Sequence, residues 1–192
     1  IRRPPRSTPS NSSAASDVYK RQILLAPDAN LARYAFRMTN KNVIGIPPCG
    51  HCPVHKVFSV EDIMDVRMRY PDVKVMVHPE VDEEVQLAAD FVGSTSQMVK
   101  KARTLSSSTI AVGTDKELIY KIKRENPDKT VIPLNAHAYC PYMKRITPDK
   151  ILRALIEKRH VIEVEASMSR KAREVIIRTL DLLGLGEKPW KR

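Results

Sequence analysis

Two short segments, each opening on a cysteine, repeat 88 positions apart in this chain of 192 residues. They read Cys52-Pro53-Val54-His55-Lys56 and Cys140-Pro141-Tyr142-Met143-Lys144. The likeness extends upstream, where the paired positions are Asp28 with Asp115 and Leu31 with Leu118. A repeat of this period indicates duplicated supersecondary units, and each copy carries one thiol at the same point. The two thiols are therefore expected to meet at a shared axis.

The thiols could bind a metal or take part in redox chemistry. Three cysteines in a chain without a secretion signal favour a reducing compartment over structural disulfides. Cys49-Gly50-His51-Cys52 has the spacing of a dithiol oxidoreductase, whose first cysteine lies at a helix N-terminus. Against this, the repeat duplicates Cys52 without Cys49, and the next helix start signal is at Ser59. A zinc site from Cys49, Cys52 and His55 is a further alternative, although a fourth ligand is not evident.

Polar residues follow three predicted strands. They are His78, Pro79 and Glu80 after residues 73–77, Gly93-Ser94-Thr95-Ser96 after Phe91-Val92, and Thr114 after residues 109–112. His78 with Glu80 could move protons or bind a substrate carboxylate and amine, the alternative being a histidine packed under the sheet edge. The turn at Ser94 and Thr95 could hold phosphate or carboxylate on free N–H groups, the alternative being an ordinary N-cap.

Alternating strand and helix patterns position these residues. Strands are predicted over residues 23–26, 43–46, 73–77, 91–92, 109–112 and 130–134, and helices from Asp28, Ser59, Ser94, Asp115 and Thr147, with a last helix that Gly184 stops. The helix after Ser59 is expected to present Val60, Ile63, Met64 and Met68 on one face. Repeated βα units predict an α/β fold of three-layer α-β-α units with parallel sheets, in which ligands gather at the carboxyl ends of the strands.

Residues 1–22 differ in composition from the rest of the chain. They are rich in Ser, Arg and Pro, show no apolar period and contain no apolar stretch of the kind found in signal peptides. We interpret them as translated sequencing-adapter read-through, with a disordered basic tail as the alternative. Without them the net charge falls from +11 to +7. The remaining basic residues are spread over helices without interleaved aromatics, which disfavours a nucleic-acid-binding module, and no apolar run is long enough for a membrane span.

The order and spacing of these motifs resemble the quinolinate synthase family, iron–sulfur enzymes of de novo NAD biosynthesis. The matching stretches are Ala26-Pro27-Asp28 with Leu31 and Tyr34, Cys52-Pro53-Val54-His55, Val77-His78-Pro79-Glu80, Ala89-Asp90-Phe91-Val92-Gly93-Ser94-Thr95-Ser96, Thr114-Asp115 and Cys140-Pro141-Tyr142-Met143-Lys144. The resemblance implies three α-β-α units around a pseudo-threefold axis. Residues 23–105 would form the second unit and residues 106–192 the third, and the first unit would be missing.

The resemblance also implies a cofactor, a reaction and a location. Cys52 and Cys140 match the second and third thiolate ligands of a 4Fe–4S cluster, whose remaining iron acts as a Lewis acid toward a substrate oxygen. The family condenses iminoaspartate with dihydroxyacetone phosphate to form quinolinate. It is functionally linked to L-aspartate oxidase and acts in the cytoplasm, with no nucleic-acid or membrane partner.

Carried over by position, His78 and Glu80 should bind and orient the substrate, with Pro79 between them, and move protons. Ser94 and Thr95 should hold a carboxylate or the phosphate. His55, Met143 and Thr114 should line the pocket, Thr114 with the weakest case. The third cluster cysteine would lie in the missing first unit, so the chain alone is expected to hold a cluster poorly and to make no quinolinate.

Overall fold

The computed structural model describes residues 22–184, which divide into two compact units, one ending at Cys140 and one beginning at Pro141. The strands of the first unit are β1 (Gln22–Leu25), β2 (Asn42–Gly45), β3 (Lys74–Val77), β4 (Phe91–Val92), β5 (Thr109–Gly113) and β6 (Thr130–Pro133). Its helices are α1 (Ala29–Thr39), α2 (Val60–Arg69), α3 (Glu83–Ala88), α4 (Thr95–Ala102) and α5 (Leu118–Glu125). A short 3-10 helix, His55–Val57, precedes α2.

All strand pairs in the first unit are parallel. One sheet pairs β1 with β2, and a second sheet has the order β4-β3-β5-β6. Because the strands are parallel, the residues that follow β3, β4 and β5 lie at one edge of the larger sheet. The predicted α/β fold with parallel sheets is therefore confirmed.

The four-stranded sheet is the middle layer of an α-β-α sandwich. Val75, Val77 and Ala111 face a core cluster that includes Ile63 of α2 and Val85 of α3. The alternate strand residues face a second cluster; Met76, Ile110 and Val112 pack there with Met98 of α4 and Ile122 of α5. Near-continuous apolar strands are expected where both sheet faces are covered.

The sequence repeat corresponds to two parallel βαβ segments. β1-α1-β2 occupies residues 22–45, and β5-α5-β6 occupies residues 109–133. β3 and β5 pair across the boundary predicted between residues 105 and 106, with Val75 opposite Ala111. The assignment of residues 23–105 and 106–192 to a second and a third unit of the family fold stays a prediction. Residues 1–21 and 185–192, at the two ends of the predicted segments, lie outside the described residues.

Helix starts agree with the predictions at most positions. Ser59 accepts the N–H of Asp62 at 3.3 Å, and Asp62 accepts the N–H of Ser59 at 2.9 Å, which completes the predicted capping box. α5 begins at Leu118 and not at Asp115, because the Asp115 carboxylate forms a turn by accepting the N–H of Glu117 at 3.1 Å. Because of this turn, α5 begins three residues later than predicted.

The predicted apolar face of α2 is buried only in part. Ile63 and Val66 are buried, whereas Met64 and Met68 are exposed. Within the described residues, Ile63 and Val66 pack in one core cluster, and half-buried Val60 packs against it. The apolar period places Met64 and Met68 on the same side of α2 as Ile63, but it does not say how much of that side the neighbouring elements cover.

The second unit is helical in its described part. It contains a 3-10 helix (Met143–Arg145), α6 (Pro148–Glu157) and α7 (Ala166–Leu182). Thr147 caps α6 by accepting the N–H of Lys150, with Pro148 at the first helical position, and Gly184 follows α7 at a φ of 67°. Both signals were predicted. No helix within residues 22–184 has the length and hydropathy to cross a membrane.

Candidate active site

His55 lies at the centre of a cluster of polar side chains at the carboxyl edge of β3 and β5. It is 8% exposed. Its Nε2 atom lies 2.9 Å from Oγ1 of Thr114, and its Nδ1 atom lies 2.9 Å from Oε2 of Glu80. The 3-10 helix that carries His55 begins three residues after Cys52, whose carbonyl accepts the His55 N–H at 3.0 Å. Three separate loops therefore converge on one imidazole.

His78 stacks on this imidazole. The two ring centroids are 4.6 Å apart, with an angle of 19° between the planes. Nδ1 of His78 accepts the backbone N–H of Glu80 at 3.3 Å, which places the ring proton on Nε2. Burial lowers the pKa of His78 from 6.5 to about 4, and the neighbouring His55 ring adds to the effect. At neutral pH His78 is therefore a neutral donor through Nε2.

We expect His78 to titrate near pH 4 in an NMR pH titration of the ring protons, with exposed His51 as the reference signal. The folded-state pKa lies below the unfolded value of 6.5, so the unfolded chain binds this proton first as pH falls. The contribution of neutral His78 to stability is complete above about pH 6.5 and is lost as the pH falls toward 4. A midpoint near 6.5 for His78 would contradict its burial.

Glu80 is the acidic member of the cluster. Its contact with His55 holds the pKa of Glu80 below the ordinary value, against the opposing effect of burial. Glu80 is therefore ionised at neutral pH, and Nδ1 of His55 carries the proton that faces it. Nδ1 lies 2.9 Å from Oε2 of Glu80, but this buried atom makes no hydrogen bond of good geometry among residues 22–184. In a neutral His55, Nε2 then accepts the Thr114 hydroxyl.

Cys52 lies beside this cluster. Ligand atoms of Cys52, His55 and Glu80 all lie within 4.8 Å of one another, a grouping that could hold a metal ion. Burial raises the pKa of the Cys52 thiol, and the charges of Glu80 and Asp28 raise it further. Without a bound cation the neutral thiol is favoured. Of the three residues in the zinc alternative, Cys52 and His55 belong to this grouping, whereas Cys49 is exposed and is not a member of it.

Cys140 and Cys52 pack against the same core cluster. Both are half-buried, and neither forms a disulfide. Asp28, which was not predicted as a site residue, accepts the backbone N–H of Cys52 at 3.1 Å and is 2% exposed. The internal repeat was the signal that could have identified it, since the repeat pairs Asp28 with Asp115. The two thiols thus share one face of the first unit.

The remaining predicted residues have defined local roles. Ser94 caps α4 and forms a capping box with Gln97, so the ordinary N-cap predicted as the alternative is present. β4 pairs with β3 through Val92 and Val77, which puts the turn before α4 at the same sheet edge as His78. The Pro79 carbonyl accepts the side-chain N–H of Gln86 at 2.8 Å. Met143 belongs to the second unit and is exposed.

Comparison with known proteins decides the family. The family model described as quinolinate synthetase A protein matches residues 7–181. The chain belongs to the quinolinate synthetase A family. The matched range begins at residue 7, inside the segment 1–22. The interpretation of that segment as sequencing-adapter read-through stays a prediction.

Relatives of the family cover most of this chain. It is 40% identical to a quinolinate synthase of Pyrococcus abyssi over 160 residues, which is 83% of this chain and 53% of the relative. A quinolinate synthase of Thermotoga petrophila is 40% identical over 177 residues, covering 90% of this chain and 59% of the relative. The chain therefore spans a little more than half the length of these relatives.

The residues present fit an iron–sulfur group of the kind this family implies. Thiolates are the usual protein ligands of iron–sulfur clusters, and Cys52 and Cys140 supply two half-buried thiols on one core cluster. The underused Nδ1 atom of His55 and the Glu80 carboxylate provide polar groups around Cys52. Outer groups of this type orient ligands and tune the metal.

We expect Gly50→Ala to disrupt the loop that carries Cys52. A Cβ atom at Gly50 would lie 2.0 Å from the backbone oxygen of Pro27, which cannot move aside as a flexible side chain could. The variant should lose about 1–3 kcal/mol of unfolding free energy. Gly45→Ala is the milder comparison, since its new Cβ would meet Cα of Ala29 at 3.2 Å, a tight contact that a shift of a few tenths of an ångström relieves. Urea titrations of both variants and the parent chain test this, and a Gly50→Ala midpoint equal to that of the parent would contradict the expectation.

Proposed function

We propose that this chain forms the part of a quinolinate synthase that carries two thiolate ligands of a 4Fe–4S cluster and the adjoining acid–base groups. The observation that carries the proposal is the position of Cys52, whose ligand atom lies within 4.8 Å of those of both His55 and Glu80. In this arrangement a thiol that can bind a metal lies beside an imidazole and a carboxylate that can transfer protons. Membership of the family supports the same reaction.

Cys52 and Cys140 would hold the cluster, the third ligand coming from outside the described residues. When bound, a cluster with one iron free of protein ligands would supply a Lewis acid for a substrate oxygen. Both thiols must lose a proton to bind, which the cluster charge would favour against the raised pKa of Cys52. The half-buried setting of both thiols would limit access of water.

His78 would bind and orient the substrate through its Nε2–H, because Nδ1 is already engaged by the backbone of Glu80. Glu80 is ionised and would accept a proton released during condensation. His55 links this carboxylate to the Thr114 hydroxyl, since its two ring nitrogens contact the two groups. A proton relay between Thr114 Oγ1 and Glu80 Oε2 through this imidazole would require the Nδ1–H to turn toward the carboxylate.

The substrates would be iminoaspartate and dihydroxyacetone phosphate. The N–H groups at the start of α4, behind Ser94 and Thr95, would bind a carboxylate or the phosphate, because a helix N-terminus attracts anions. Pro79 would shape the loop between His78 and Glu80. L-aspartate oxidase would supply iminoaspartate, and the reaction would take place in the cytoplasm.

The experiment is anaerobic assembly of the chain with the part of the Pyrococcus abyssi enzyme that its match leaves uncovered. Iron and sulfide are added, and quinolinate formed from iminoaspartate and dihydroxyacetone phosphate is measured by chromatography. We expect quinolinate from the two parts together and none from this chain alone. Absence of product in an assembly that holds stoichiometric iron and sulfide would overturn the proposed function. Product from this chain alone would contradict the expected dependence on a third ligand.

A further inference from the structure

One carboxylate joins the start of α1 to the backbone of Cys52. Oδ1 of Asp28 accepts the N–H of Leu31 at 2.8 Å, and Oδ2 accepts the N–H of Cys52 at 3.1 Å. A second bond runs the opposite way, from the N–H of Ala29 to the carbonyl of Gly50 at 2.8 Å. The cysteine loop is therefore held against the helix start by two reciprocal hydrogen bonds.

The same pair of bonds holds Cys140. Oδ2 of Asp115 accepts the N–H of Cys140 at 2.9 Å, and the N–H of Lys116 donates to the carbonyl of Ala138 at 2.9 Å. Donors and acceptors occupy matching places in the two copies of the repeat. The carbonyl acceptors, Gly50 and Ala138, are different residue types. The arrangement is therefore common to the two backbones.

The two aspartates differ in what else they do. Asp28 is the N-cap of α1, which begins at the next residue. Asp115 is not a cap, since α5 begins at Leu118 and Oδ1 of Asp115 closes a turn with the N–H of Glu117. Helix capping is therefore not the feature that the repeat preserves. The bond to the cysteine N–H is preserved.

We infer that Asp28 and Asp115 are positioning residues for the thiols of Cys52 and Cys140. The inference rests on the proposed function, in which both thiols bind the cluster. Fixing the N–H of a cysteine restrains its peptide plane and the position of its Cα atom, which narrows the region that the thiol can reach. A hydrogen bond to a carboxylate is stronger than one between neutral groups, so the constraint is suited to a ligand that must not swing away. Neither carboxylate is itself a ligand in this assignment.

The test uses Asp28→Ser and Asp115→Ser in the reduced, metal-free chain. Serine keeps a favourable N-cap oxygen but has one short hydroxyl, which cannot serve both N–H groups. Each variant contains its own control, because the cysteine of the other repeat keeps its aspartate. Backbone amide signals are followed by NMR, and the alkylation rate of each cysteine is followed by mass spectrometry, with exposed Cys49 as the reference.

In Asp28→Ser we expect the Cys52 amide proton to move upfield and to exchange at least about tenfold faster, as loss of a charge-assisted hydrogen bond requires. Cys52 should also alkylate several-fold faster while Cys140 is unchanged. Asp115→Ser should give the reverse pattern. A general loosening of the fold would instead raise the exchange and alkylation rates of both cysteines together.

Equal responses of both cysteines in both variants, or a response of neither, would overturn the inference. If a serine variant fails to fold, Asp28→Asn and Asp115→Asn take its place, since asparagine keeps the shape and one acceptor oxygen. The metal-free readouts do not depend on a cluster. Failure of the proposed function would appear separately, as normal cluster formation in Cys52→Ser or Cys140→Ser protein.

Discussion

Cys52→Ser and Cys140→Ser are each expected to abolish stable cluster binding and quinolinate formation in the assembled enzyme. A serine hydroxyl stays protonated at neutral pH and is a poor ligand for iron in a cluster, where thiolates are preferred. Removing either thiol would leave too few protein ligands. The measurement is iron and sulfide content with visible absorbance after anaerobic reconstitution, followed by a quinolinate assay.

Cys49→Ser is the matched control for both substitutions. Cys49 is exposed, and α2 begins at Val60, so the described chain does not give Cys49 the helix N-terminus that a dithiol oxidoreductase requires. We expect cluster content and activity to stay within experimental error of the parent chain. Loss of thiol-exchange activity in Cys49→Ser but not in Cys140→Ser would instead indicate the oxidoreductase alternative.

Glu80→Gln is expected to lower the rate of quinolinate formation by about 10²–10⁴-fold, the usual contribution of general acid–base catalysis. The amide keeps the size of the side chain but cannot accept the proton, and it removes the negative charge that faces Nδ1 of His55. Glu83→Gln is the control, because Glu83 is an exposed acid that pairs with Arg37 away from the cluster. Initial rates of the two assembled variants are compared.

A second readout separates charge from packing in Glu80→Gln. The Glu80 carboxylate raises the pKa of His78, against the larger lowering effect of burial. Removing the charge should therefore lower the NMR titration midpoint of His78 further, whereas Glu83→Gln should leave it in place. An unchanged midpoint together with an unchanged rate would exclude Glu80 from proton transfer.

Much of the secondary structure could be predicted because its signals are local. The capping box at Ser59 and Asp62 and the Thr147-Pro148 start of α6 depend on backbone groups three or four residues away. Strand predictions succeeded because β3 and β5 are covered on both faces and so consist of apolar runs. The paired cysteines and the polar strand ends could also be found, since repetition and strand position are properties of the sequence.

The tertiary structure decided the relations between distant residues. The sequence by itself named His55, His78 and Glu80, but only the folded chain shows the stacked rings and the link from Thr114 through His55 to Glu80. It also revealed the hydrogen bonds that the N–H groups of Cys52 and Cys140 donate to Asp28 and Asp115, across 24 and 25 positions. The exposure of Met64 and Met68 also depends on which elements pack against α2, and only the folded chain shows this. Local patterns specify which backbone groups a residue can satisfy nearby, whereas burial, pKa shifts and long-range hydrogen bonds depend on which loops the sheet brings together.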